Sequence, residues 1–342
     1  MSEWRIYQGV REPHDGIERL PPPPPWRVFD ETAEPTPFDR TAGVGSGRRL
    51  PQLGAYRAGS DTLDAVNTAL YLRRPLLVTG DPGVGKSTLA YAVAHELKLG
   101  PVLRWPINSR SVLRDGLYRY DSLGRLEEAG VARERGGKVP PLDVGRFVRL
   151  GPLGTALAPY ELPRVLLVDE IDKSDIDLPN DLLDVFEQGT FEIPELSRVA
   201  DQQPVVKVRP ADSGKPVTVR DGTVSCRTFP VTVLTSNGER EFPPAFLRRC
   251  VRLHLPAVSD DGHLRDIVEA HLDSASADAD ELITRFLEHA ESGELATDQL
   301  LNALYLVGRT TGHGAPSIDQ LVQLVFQHLN ETVPTRSGPD PS

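Results

Sequence analysis

Apolar residues along this chain fall into two rhythms that take turns. "RRPLLVTG" (73–80), "RVLLVDEID" (164–172) and "FPVTVLTSN" (229–237) each hold a short unbroken apolar run, the pattern of a strand buried on both faces. "PVLRWPIN" (101–108) and "CVRLHL" (250–255) read as two further strands. Elsewhere the apolar positions recur at helical spacing. In "DTLDAVNTALYL" (61–72) these are Leu63, Val66, Leu70 and Tyr71, behind Asp61 as a candidate cap. "STLAYAVAHELKL" (87–99) is a second helix, and "LPNDLLDVFEQG" (178–189) a third. In the third, Leu182, Leu183, Val185 and Phe186 face inward and Gly189 is the stop. Buried strands alternating with helices predict an α/β fold with a parallel sheet covered on both faces.

Other stretches follow different patterns. Residues 190–230 alternate apolar and polar around "DSG" and "DG", which predicts hairpins. Lys207, Arg209, Lys215 and Arg220 make them locally basic, which reads as a solvated face or, alternatively, a substrate contact. Residues 109–160 predict a helix, an ordered loop and a hairpin. From Gly262 onward every segment has helical spacing, which predicts four helices in a small α-helical unit. The expected organisation is an extended Pro-rich arm (1–50), an α/β domain with hairpin insertions (51–257), a helical unit (258–332) and a disordered tail (333–342). Within the arm, "RLPPPPPWRVFD" predicts a stiff polyproline II rod and "TAGVGSGRRL" a flexible joint. Two uses suit it: a strap packing its tryptophans on a domain, or a docking segment for a separate partner.

Composition narrows the class. Of 342 residues, 39% are hydrophobic and 25% charged, which is ordinary for a globular chain. A net charge of -11 argues against coating duplex nucleic acid. Two cysteines, Cys226 and Cys250, make no disulfide framework and fit a reducing cytoplasm. The N-terminus lacks the apolar core of a signal peptide, and no window nears the ~18 apolar residues of a membrane span. His95-Glu96 lacks the second histidine of a zinc helix.

The chemistry begins at "GDPGVGKST" (80–88), between a strand and a helix. Gly80, Gly83 and Gly85, with Asp81, Pro82 and Val84 between them, let the backbone wrap so that its N–H groups face phosphate. Lys86 is placed for the β- and γ-phosphates, Ser87 offers a hydroxyl to Mg²⁺, and Thr88 continues the helix start. In "LLVDEID", Asp169 is the candidate second metal ligand and Glu170 the candidate base for water; the pair could instead cap a helix. Asn237 ends a buried strand, where an amide can orient the attacking water or simply mark a turn.

Together these residues resemble an AAA+ ATPase. "RPLLVTGDPGVGKS", "RLGPLGTALA" ahead of "VDEID", and "FPPAFLRRC" (242–250) resemble the MoxR-type branch more narrowly, over roughly residues 55–330. The resemblance implies a five-stranded parallel sheet, a helical lid over 258–332, and a ring homo-oligomer, commonly a hexamer, with nucleotide between subunits. It implies ATP and Mg²⁺ as cofactors and hydrolysis of ATP to ADP and phosphate. It assigns Asn108 as a polar residue restraining the catalytic glutamate, a position that could equally cap a turn. It assigns Arg249 as the arginine that reaches a neighbour's γ-phosphate; a surface salt bridge is the plain alternative. Arg248 points about 100° away on the helical turn and belongs to another partner. One departure stands out. "LATDQLLNAL" (295–304) lacks the arginine that such lids usually carry, and Arg309 is a weak substitute.

The function expected is therefore a cytoplasmic ATP-driven ring that remodels or activates protein clients, which for this family include von Willebrand A-domain proteins. Alternatives are a nucleotide-gated signalling module with little turnover, or a nucleic-acid motor, which the acidic balance disfavours.

Overall fold

A computed structural model describes residues 4–40 except 28 and 31, 58–134 and 143–256. The joint 41–50, the loop around 135–142, the helical unit, Arg309 and the tail lie outside the described residues. The described residues fall into a main unit, comprising the arm, Ala58–Gly80 and Lys86–Leu255, and a second unit, of which Asp81–Gly85 and Pro256 are described.

In chain order the elements are α1 (Ser60–Leu72), β1 (Leu76–Thr79), α2 (Lys86–Glu96), β2 (Leu103–Pro106), α3 (Leu113–Leu117), β3 (Tyr118–Tyr120) and α4 (Ser122–Glu134). Then come β4 (Val148–Leu150), α5 (Pro152–Ala156), β5 (Val165–Asp169), α6 (Leu178–Gln188), β6 (Thr190–Glu192), α7 (Pro194–Ser197) and β7 (Val205–Val208). The last are β8 (Val217–Arg220), β9 (Thr223–Ser225), β10 (Val231–Ser236), α8 (Pro244–Leu247) and β11 (Val251–His254).

Five strands form the central sheet in the order β11-β1-β10-β5-β2, parallel throughout. The chain is α/β, with helices flanking this sheet. The inner strands β5 and β10 are buried at every position, as strands covered on both faces must be. The edge strand β2 alternates, burying Leu103 and Trp105 and turning Arg104 and Pro106 outward. Segments 118–120 and 148–150 pair antiparallel, and β6-β9-β8-β7 make a four-stranded sheet. Asp221 and Gly222 both take positive φ between β8 and β9, the turn that a two-residue hairpin with native twist requires. Lys207, Lys215 and Arg220 are exposed on this sheet and its connections.

Two sequence expectations shift. Helix α1 begins at Ser60, so Gly59 is its cap, and Asp61 sits in the first turn, where its charge still favours the helix dipole. The arm is a strap, but its tryptophans do not anchor it: Trp26 is 73% exposed, and Trp4 meets Tyr71 edge-on while 41% exposed. The anchors are polar. The fully buried Asn67 of α1 accepts from the Ile6 and Tyr7 N–H groups and donates to the Tyr7 and Leu63 carbonyls. All four of its hydrogen-bonding positions are thereby filled. Buried Glu96, at the end of α2, accepts from Gln8 N and Val10 N and meets His14 Nε2 at 3.0 Å. Burial raises the Glu96 pKa, against the opposing pull of those N–H groups and of His14. Farther along the arm, Phe29 and Phe38 each cover a buried arginine. Arg27 lies between Phe29 and Phe229, and Arg164 between Phe38 and Tyr160.

Among the described residues no helix is long and apolar enough to cross a membrane. Asn67→Ala would remove the acceptor of the Ile6 N–H and the side-chain bonds to the Tyr7 backbone, at about 1–3 kcal/mol for each buried group not otherwise satisfied. We expect a loss of about 2–4 kcal/mol in urea unfolding and faster proteolysis within the arm; resistance equal to wild type would refute this account of the anchor.

Candidate functional site

Five of the sequence-predicted residues, Lys86, Ser87, Asp169, Glu170 and Asn237, lie at the carboxyl ends of the central strands, where open α/β sheets bind ligands. Thr79 of β1 lies opposite Ser236 of β10, and Val168 of β5 opposite Leu234. Strands β1 and β5 are not neighbours, because β10 runs between them. Helix α2 crosses this gap by packing on β5 and β10, and so carries its first turn to Asp169.

The result is a compact polar cluster. Ser87 Oγ donates to Asp169 Oδ1 at 2.7 Å, and Thr235 Oγ1 donates to the same oxygen at 2.9 Å. Arg104 donates to Oδ2 through Nε (2.9 Å) and Nη2 (2.5 Å). Burial alone would raise the Asp169 pKa, but hydrogen bonds from Ser87, Arg104 and Thr235, with the Arg104 charge, outweigh it. Its carboxyl therefore sits below the ordinary value of 3.8. Lys86 is buried, and its ammonium donates back to the Gly80 carbonyl at 2.6 Å. Within the loop, Gly83 and Gly85 take φ of 84° and 90°, and Gly80 takes 147°, conformations that favour glycine.

Glu170 has φ 62° and ψ 51°, a left-handed backbone that a residue with a Cβ adopts at a cost. Its N–H donates to Thr235 Oγ1, and its carboxylate meets Lys173 Nζ at 3.0 Å on the surface. It caps the short helical turn Ile171–Lys173 by position, without a side-chain cap bond. Asn237 is fixed through its backbone: buried Asp172 accepts from Asn237 N (2.8 Å) and Glu239 N (3.2 Å).

Two candidates stand apart from this cluster. Asn108 is exposed, and its side chain accepts from Arg110 N at 2.9 Å, so it caps its own turn. Arg249 donates to Glu187 Oε1 at 2.8 Å, with both side chains nearly half exposed. Arg248 turns back on the Pro244 carbonyl, so the two arginines do face different partners. Arg249 also precedes β11, whose first residue Val251 pairs with Leu76 at the start of β1. It therefore lies at the amino end of the sheet, with the length of β1, about 10 Å at 3.3 Å per residue, between it and Gly80.

Arg104, Thr235 and Asp172 belong to the cluster but were not singled out from the sequence. Asp172 had a usable signal, as the last acid of "DEID". Arg104 and Thr235 had none, because each occupies an ordinary strand position.

Among the described residues no three His, Cys, Asp or Glu side chains gather to hold a metal. Magnesium bound largely by phosphate and water needs only one or two protein oxygens, and Ser87 beside Asp169 supplies that hard-oxygen set. Comparison of the sequence with protein-family models and with curated proteins returns no match.

The lowered Asp169 pKa sets a pH dependence. Its stabilising contribution is complete above 3.8 and is lost as pH falls through the lower folded value. Melting temperature should therefore drop more steeply below pH 4 in wild type than in Asp169→Asn, and parallel curves would contradict this.

Proposed function

We propose that the chain is an ATPase of the AAA+ type, nearest the MoxR-like branch, that works as a ring on protein clients. The observation that carries the reading is the meeting of Ser87 and Asp169 at the carboxyl end of the sheet, directly after a glycine-rich loop with left-handed turns. Residues 80–88 suit a polyphosphate: loop N–H groups for its oxygens, Lys86 for its charge. Ser87 and Asp169 would hold Mg²⁺, which when bound neutralises charge on the phosphates. Glu170, at the end of β5, accepts a proton from water, while Asn237, on the turn that Asp172 clamps, orients that water.

Arg249 lies at the amino end of the sheet, whereas Gly80 follows the carboxyl end of β1. A second copy docking head-to-tail would bring it to a neighbouring site, and a head-to-tail interface closes into rings. Its hold on Glu187 is an exposed pair worth about 0–1 kcal/mol, so releasing it opposes assembly little.

A second reading draws on the Lys173 contact. A Glu170 carboxylate already engaged suits a nucleotide-gated module with little turnover until that contact opens.

Glu170→Gln should still bind ATP while turnover falls about 10²–10⁴-fold; an unchanged rate would overturn the assignment, and negligible wild-type turnover at every concentration would favour the gated module. Glu170→Gln and Arg249→Ala, each inactive alone, should on equal mixing recover up to about a quarter of wild-type turnover, because one in four random interfaces regains both groups. Absence of recovery in rings that do mix would remove Arg249 from the site.

A further inference from the structure

Asp169 has no spare acceptor capacity. An ionised carboxylate offers about four lone-pair positions, and here Ser87, Thr235 and the two Arg104 nitrogens take one each. A divalent cation or its bound water can therefore reach this carboxylate only if one donor leaves. The three donors differ in their freedom to do so. Thr235 is buried in β10 and also accepts from Glu170 N, so its departure would strand two elements. Ser87 lies in the first turn of α2 and would itself be an oxygen ligand for the same cation. Arg104 alone is both charged and free to leave: its side chain is 43% exposed on the edge strand β2, against 8% for Asp169.

We propose that Arg104 is a positioning residue that holds Asp169 as a resident cation and yields it when magnesium nucleotide loads. This rests on the nucleotide-site reading above and adds to it a metal-dependent exchange within this chain. Without nucleotide, Arg104 holds the buried carboxylate in place and compensates it. With nucleotide, the guanidinium swings to solvent and the carboxylate acquires a different positive partner. Arg104 thus sets the magnesium concentration at which the site loads.

The test is binding of a fluorescent ATP analogue to the full chain, titrated with Mg²⁺ and repeated in EDTA. In R104Q the half-saturating Mg²⁺ concentration should fall roughly tenfold, as expected for removing one charge-assisted competitor. R104K retains a charge without the fork and should shift the same way by about threefold, and it carries the test if R104Q does not fold. Binding in EDTA should be unchanged in both, which a merely structural role for Arg104 would not predict. The rise in melting temperature on adding Mg²⁺ with the analogue should also be larger in both variants than in wild type. An unchanged or higher Mg²⁺ requirement would overturn the exchange, since Arg104 would then be supporting Asp169 as a ligand. Failure of wild type to bind the analogue at all would overturn the nucleotide reading and this inference together.

Discussion

A carboxylate that is almost fully buried must be compensated, and in this chain that demand organises the centre of the molecule. Asp169 ends the most buried strand of the sheet, where an uncompensated charge would cost several kcal/mol. Its compensation comes from the three elements that surround it: the helix start at Ser87, the middle strand at Thr235 and the edge strand at Arg104. Those same bonds fix how the start of α2 and how β10 lie against β5. The polar cluster is thus a structural joint as well as a candidate site. Its chemistry cannot change without altering what holds three elements together.

Parallel strands give the molecule a polarity. The glycine-rich loop, Asp169, Glu170 and Asn237 all leave the same end of the sheet, because each follows or ends a strand running in one direction. Arg249 enters a strand rather than leaving one and so sits at the other end. No side-chain rearrangement within one chain brings the two ends together across a buried sheet.

Much of this was legible in the sequence, for identifiable reasons. Strands buried on both faces produce unbroken apolar runs, so "VLLVD" and "VTVLTS" declared themselves. The glycine-rich loop was readable because backbone wrapping restricts residue types at fixed spacing. Strand order was not readable: nothing in the chain says that β10 separates β1 from β5, and the role of Thr235 follows only from that. Arg104 was hidden for a related reason, since an arginine on an alternating edge strand ordinarily points to water. Asn67 and Glu96 were missed because they lie inside helices and carry no periodic signal; their importance comes from a segment some sixty to ninety residues away. Tryptophans in the arm misled in the opposite sense, because size suggested anchoring where hydrogen-bonding groups provide it.

The strap has a consequence for how the chain is made. Its backbone is held by side chains of α1 and α2, and beyond them by the Cys226 and Pro159 carbonyls, which accept from Asp30 N and Thr36 N. During synthesis the arm emerges ahead of its docking sites: Asn67 and Glu96 follow within some sixty to ninety residues, whereas Cys226 follows much later. At a translation rate of roughly 5–20 residues per second, the interval between Asp30 and Cys226 amounts to about ten to forty seconds. For that time the proline-rich stretch and its exposed aromatics remain available to whatever meets a nascent chain. A run of prolines, which neither joins a sheet nor starts a helix by itself, suits a segment that must wait. The segment around Asp30 is thus fastened only once Cys226 has been made.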